Sequence, residues 1–187
     1  VLDSAGNINS TNDTIYFNAS GAGLDVTPPN TPTVVDDGAY SNTDVALHAA
    51  WNTTDPESEL LHAPIEYEYR IKFNVVEDAS KTGVLGNFTY VGTDTEVTVH
   101  QQNLTSGDNY TFEIRAINTG GVRSAIGTSD GIIVDTSSPT APDINSSQLD
   151  GNWSSNNVVS FNWTATDSVS NVSAYSYVFD SNATTIP

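Results

Sequence analysis

Ile65-Glu66-Tyr67-Glu68-Tyr69-Arg70-Ile71-Lys72-Phe73 alternates an apolar or aromatic residue with a charged one along its whole length. A strand sends successive side chains to opposite faces, whereas a helix would scatter this pattern around its axis. The stretch is therefore a β-strand, with Ile65, Tyr67, Tyr69, Ile71 and Phe73 on a buried face and Glu66, Glu68, Arg70 and Lys72 on an outer one. Asn109–Asn118 repeats the pattern, with Tyr110, Phe112, Ile114 and Ala116 inward and Glu113 and Arg115 outward. Paired side by side, the two strands place opposite charges across from each other, each pair contributing only tenths of a kcal/mol. A sheet with one apolar face needs a second layer to cover it.

Working outward, short alternating runs recur between Gly, Pro, Asn and Asp clusters, and no sustained helical period intervenes. Strands are predicted at Thr33-Val34-Val35, at Asp44–Asn52 with Val45, Leu47, Ala49 and Trp51 inward, at Asn87–Val91, at Glu96–His100 and near Gly131–Asp135. Two similarly worded, Pro-rich phrases punctuate the chain, Leu24-Asp25-Val26-Thr27-Pro28-Pro29-Asn30-Thr31-Pro32 and Val134-Asp135-Thr136-Ser137-Ser138-Pro139-Thr140-Ala141-Pro142. Proline removes a ladder donor, so strands end there. The predicted fold is all-β, as tandem sandwiches, one complete and two partial. Residues 1–27 read as the C-terminal end of one module, 28–135 as a complete one and 136–187 as the N-terminal half of a third.

The complete unit resembles a fibronectin type III domain. Trp51 stands where that family has its core Trp, and Tyr67 and Tyr69 match its Y-x-Y strand. Leu104-Thr105-Ser106-Gly107-Asp108-Asn109-Tyr110 matches its L-x-x-G-x-x-Y tyrosine corner, and Arg115-Ala116-Ile117-Asn118 before Gly120-Gly121 matches its R-A-x-N-x-x-G segment. The resemblance implies that the Tyr110 hydroxyl bonds backbone just upstream. The flanks resemble Ig-like repeats of prokaryotic surface proteins, an archaeal source being favoured. Asp3-Ser4-Ala5-Gly6-Asn7 before the strand Thr14–Asn18 carries that likeness, as does Asp167-Ser168-Val169-Ser170 between the runs Val159, Phe161, Trp163 and Tyr175, Tyr177, Phe179. A half-sandwich exposes an apolar face. Further modules of the same chain are expected to cover it, or, alternatively, the Thr14–Asn18 strand of another copy.

With 23 acidic residues against 5 basic ones among 187, the formal net charge is −18, which repels nucleic acid and anionic lipid. There is no Cys, hence no disulfide framework or thiolate site. No apolar run approaches the ~20 residues that span a bilayer. Twelve N-x-S/T sequons are present, at Asn9, Asn12, Asn18, Asn52, Asn87, Asn103, Asn109, Asn145, Asn152, Asn162, Asn171 and Asn182, against roughly 4–5 expected by chance. The excess points to an N-glycosylated extracellular chain. By strand alternation Asn18, Asn52, Asn109 and Asn162 face outward.

Catalytic signatures are missing. His48, His62 and His100 are dispersed, and there is no nucleophile elbow or phosphate loop. Calcium, which takes six to eight oxygens, is the candidate cofactor. Its candidate ligands are Asp25 with Asp36 and Asp37, and Asp135 with Asp143, the Asp55–Glu59 loop and Asp130 being others. The leading functional reading is a structural module of a glycosylated cell-surface assembly: a surface layer, a sheath or a filament. Its partners would be copies of itself or neighbouring modules. An adhesin is the first alternative, and an accessory region of a secreted hydrolase the second.

Overall fold

A computed structural model describes residues 25–61, 63–75, 78–100, 104–147, 155 and 157–180. The elements in order are β1 (Thr33–Asp36), β2 (Tyr40–Ser41), β3 (Ala46–Asn52), α1 (Pro56–Leu61), β4 (Glu66–Val75), β5 (Asp78–Gly92), β6 (Glu96–His100), β7 (Asp108–Ile117), β8 (Gly127–Thr128), β9 (Ile132–Val134), β10 (Asp143–Ser146) and β11 (Phe161–Thr164). The predicted strand Thr14–Asn18 lies outside the described residues.

One sheet runs β1-β3-β6. The facing sheet runs β2-β9-β7-β4-β5, with β8 also on β7. The chain is an all-β Ig/fibronectin-type sandwich. Alternation places Leu47, Ala49 and Trp51 of β3 against Tyr67 and Ile71 of β4 and Tyr110, Phe112, Ile114 and Ala116 of β7, in a core completed by Val99, Leu104, Ile132 and Val134. The Trp51 and Tyr67 rings meet at 5.9 Å, tilted by 58°. Ile65, Tyr69 and Phe73, read as inward, border this core half-buried. Val45, also read as inward, is 50% exposed, because its N–H turns to the Thr43 hydroxyl and the ladder of β3 starts one residue later.

The tyrosine corner forms as the family resemblance implies. The Thr105 N–H donates to the Tyr110 hydroxyl at 2.9 Å. Gly107, at φ 93°, makes the turn that a Cβ would strain, and its N–H bonds the Val134 carbonyl, tying the corner to β9.

The strand predicted at Asn87–Val91 is the end of the much longer β5. Its first half, Ser80-Lys81-Thr82-Gly83, has no apolar alternation to read. Gly83 stands opposite Phe73, and a Cβ there would lie 2.6 Å from the ring, so glycine lets the aromatic lie across the neighbouring strand.

The outer face differs from the solvated charge ladder expected of it. The two strands lie side by side as expected, in a register that sets Glu68 opposite Arg115 and Arg70 opposite Glu113. Arg70 bonds Glu113 at 2.6 Å, and Glu68 accepts from Arg123 at 2.9 Å and Arg115 at 3.4 Å. Glu68 and Glu113 are nevertheless buried. The cause is Phe88 at the irregular stretch of β5, whose ring lies 4.6 Å from the Arg70 guanidinium and 4.1 Å from that of Arg115. Guanidiniums held between a ring face and a carboxylate keep one geometry and lose water. Phe88→Ala is therefore expected to cost about 1–2 kcal/mol from the two cation–π contacts, measured by urea denaturation. A change of only a few tenths would restore the solvated-ladder reading.

The C-terminal part repeats the start of the sandwich. In β1–β3, Val34 pairs with Trp51, and in β10–β11, Ile144 pairs with Trp163. Phe161, Trp163, Tyr175, Tyr177 and Phe179 stack by ring contacts of 5.6–6.1 Å, and Tyr177 and Phe179 are 72% and 75% exposed.

Candidate functional site

Asp25–Thr27, the opening of the first Pro-rich phrase, is held on the sandwich by Asn118, just past β7. The Asn118 amide donates to the carbonyls of Asp25 at 3.1 Å and Thr27 at 2.7 Å, while its Oδ1 accepts the Val122 N–H at 2.8 Å. Asn118 is 2% exposed, so these bonds form away from water. Gly120 lies so close to the Asp25 carbonyl that a Cβ would overlap it. The R-A-x-N-x-x-G segment thus acts as a clamp on the incoming linker. Downstream, the Asn30 N–H bonds the Thr54 carbonyl at 3.0 Å, and the Thr53 hydroxyl returns a bond to the Asn30 carbonyl at 2.6 Å.

Beyond β3 the chain enters α1, where the sequence alone predicts an acidic loop. Asp55 caps it, its Oδ1 accepting the N–H groups of Glu57 at 3.1 Å and Ser58 at 3.4 Å, and Pro56 occupies the first helical position. The Ser58 hydroxyl donates to Asp25 Oδ2 at 2.7 Å. One carboxylate oxygen each of Asp25, Asp55 and Glu57 lies within 4.8 Å of the others. Asp25 is 3% exposed and Asp55 0%, and Asp25 Oδ1 and Asp55 Oδ2 are buried without a hydrogen-bond partner. Glu57 is exposed. The Thr27 hydroxyl and then the Glu57 backbone N–H hydrogen-bond to its carboxyl and hold it below the usual range.

The second Pro-rich phrase repeats the arrangement. The Thr140 N–H bonds the Thr166 carbonyl at 2.8 Å, as Asn30 does Thr54. Asp167 Oδ1 accepts the N–H groups of Val169 and Ser170, each at 2.9 Å, as Asp55 does for Glu57 and Ser58. Hydrogen bonds from Ser137 and then Ser170 lower the Asp135 carboxyl below its ordinary range. Asp167 Oδ2 is buried and unpartnered.

The acidic groups expected from sequence are distributed differently. Asp36 does not join Asp25. Its two oxygens accept the N–H groups of Gly38 and Gly131, which ties β1 to the turn before β9. Asp37 pairs with His48 at 2.8 Å on the surface. Asp143 is exposed on β10 opposite Thr164, and Asp130 is exposed beside Gly131. Among the described residues, the three-carboxylate group is Asp25-Asp55-Glu57, and Asp36, Asp37, Asp135 and Asp143 are in none. The sequence reading paired neither Asp55 with Asp25 nor Asp167 with Asp135. The signal was present in Trp51-Asn52-Thr53-Thr54-Asp55-Pro56-Glu57-Ser58 and Trp163-Thr164-Ala165-Thr166-Asp167-Ser168-Val169-Ser170, which align residue for residue behind the two corresponding linkers.

Of the sequons, Asn52, Asn87, Asn145, Asn162 and Asn171 are exposed. Asn109 faces away from the core as alternation requires, but its amide lies against Gly131 and its Oδ1 is buried. Asn9, Asn12, Asn18, Asn103, Asn152 and Asn182 lie outside the described residues. So does His62, and His100 is exposed. No helix of the described residues is long and apolar enough to cross a membrane.

No protein-family model matches the chain, and no curated protein matches it. Among solved structures, it is similar to titin domains A168–A170, with 18% identity and a TM-score of 0.38 over 57% of this chain and 32% of that one. It is similar to titin module A71 from human cardiac muscle, with 22% identity and a TM-score of 0.37 over 56% of this chain and 88% of that one. It is also similar to the twitchin kinase region of C. elegans, with 16% identity and a TM-score of 0.38 over 59% of this chain and 17% of that one. The chain thus spans about a third of the first of these and less than a fifth of the last. The fold assignment rests on the two sheets and their register.

Proposed function

We propose that the chain is a run of spacer modules in an extracellular, glycosylated cell-surface assembly (a surface layer, sheath or filament), of prokaryotic and favourably archaeal origin. The observation that supports this reading is the repeated joint. Two successive Pro-rich linkers dock on the loop after an equivalent Trp-bearing strand through the same backbone bond, Asn30 to Thr54 and Thr140 to Thr166. A short, Pro-stiffened connection docked on the unit that follows it limits the directions that successive modules can take, which is what a spacer supplies. The exposed sequon Asn residues and the −18 charge suit a hydrated surface. The partners are neighbouring modules or further copies, and the exposed aromatic face of Tyr177 and Phe179 is where one would seat.

Intact-mass measurement on native material tests the glycan part. The expected mass exceeds that of the bare polypeptide by several glycans, and a mass equal to the polypeptide would overturn it. Antibody labelling of native cells is expected to show a continuous lattice or fibre. Sparse label at tips or stalks would overturn the assembly reading in favour of an adhesin.

A further inference from the structure

We propose that Asp25, Asp55 and Glu57 form a calcium site that locks the incoming linker onto the sandwich. This inference stands on the geometry of the first joint and holds whether or not the chain is glycosylated.

Two carboxylates at 3% and 0% exposure sit in one cluster. Among the described residues, no Lys, Arg or His pairs with Asp25, Asp55 or Glu57; the described ion pairs use Asp37, Glu68 and Glu113. Ser58 supplies one hydroxyl to Asp25, and two backbone N–H groups serve one oxygen of Asp55. That leaves Asp25 Oδ1 and Asp55 Oδ2 buried and unpartnered. Buried like charges without a counter-charge are strongly unfavourable, and a divalent cation removes both the repulsion and the orphaned acceptors. Calcium–oxygen bonds of about 2.3–2.6 Å let ligands across one ion lie about 5 Å apart. Oxygens within 4.8 Å of one another can therefore share a single ion. The donors are all oxygen, with no His or thiolate, which selects a hard cation over zinc. Glu57 is the exposed ligand, and waters can complete the shell beside it.

The second joint is an internal control. It repeats the Asp and Ser positions, but Val169 stands where Glu57 does, so the third carboxylate is missing. The expected stoichiometry is one calcium per chain, at the first joint.

The test uses the whole 187-residue chain, stripped with EDTA and titrated with calcium chloride by calorimetry and thermal melting. Saturating calcium is expected to raise Tm by about 5–10 °C, with one binding event. Glu57→Val copies the second joint at an exposed position. It is expected to weaken calcium affinity at least tenfold. Asp25→Asn should do the same to affinity, and Asp37→Asn, on the exposed surface, should leave it unchanged. Absence of a calcium-dependent shift in the unaltered chain would overturn the proposal. So would an equal shift in Glu57→Val, which would mark diffuse binding to the acidic surface. An equal shift with magnesium chloride would overturn the assignment to calcium.

Discussion

Trp51→Ala is expected to lower the free energy of unfolding by about 3–5 kcal/mol, the largest effect of any single change considered. Trp51 is the last inward residue of β3 and is 5% exposed. It sits between the sheets, its ring tilted against that of Tyr67 across the core. Neighbouring Ala49, Ala116 and Ile114 cannot move into the space, because each is anchored in its own strand with no exposed surface. Truncation therefore loses the buried area and leaves a cavity as well. One feature moderates the loss. The indole N–H has no hydrogen-bond partner in the fold, so removing the ring relieves one unsatisfied donor. Urea denaturation followed by circular dichroism should show a lower midpoint with an unchanged slope. A loss below about 1 kcal/mol would mean that this ring does not hold the two sheets together.

Asn118→Ala is expected to cost about 2–4 kcal/mol, and its signature is local. The amide serves two linker carbonyls and one backbone N–H, all within 2.7–3.1 Å. Alanine leaves those three groups without their partner in a buried place, and each such orphan costs about 1–3 kcal/mol unless the linker lifts into water. Lifting is the cheaper response, so the linker should detach while the core stays closed. Hydrogen exchange should show protection lost at the Asn30 and Val122 amides and kept in β4 and β7, and limited proteolysis should show cleavage gained around Asp25–Thr27. Uniform loss of protection would instead make Asn118 a global stability residue. Asn118→Asp should do no better than Ala, because a carboxylate would face two carbonyl oxygens.

Legibility followed the range of the interaction. β6 was read from sequence with its bounds, and β4 and β7 to within about two residues, because each alternates apolar with polar or charged residues and so writes a period of two into the chain. The first half of β5 was invisible because Gly83 and its neighbours are chosen by Phe73 on the adjacent strand and not by alternation. α1 was missed because six residues are too few for a helical period. Its Asp cap and Pro first position were the only available signs.

The sequence by itself determined the fold class and the inward set around Trp51, Tyr110 and Phe112, since alternation is local and survives without knowledge of partners, while the tyrosine corner was implied by the family resemblance. The grouping of the acids was decided by the tertiary structure alone. Asp25 reads with Asp36 and Asp37 as a group at a module junction, yet closure of the sandwich sends Asp36 to Gly131 and brings Asp25 to Asp55 and Glu57. Asn118 likewise reads as a family residue, and only the folded chain shows what it holds. A charged side chain carries no period that names its partner. Which carboxylates meet is settled by the strand order and by the path of the linker across the end of the sheets.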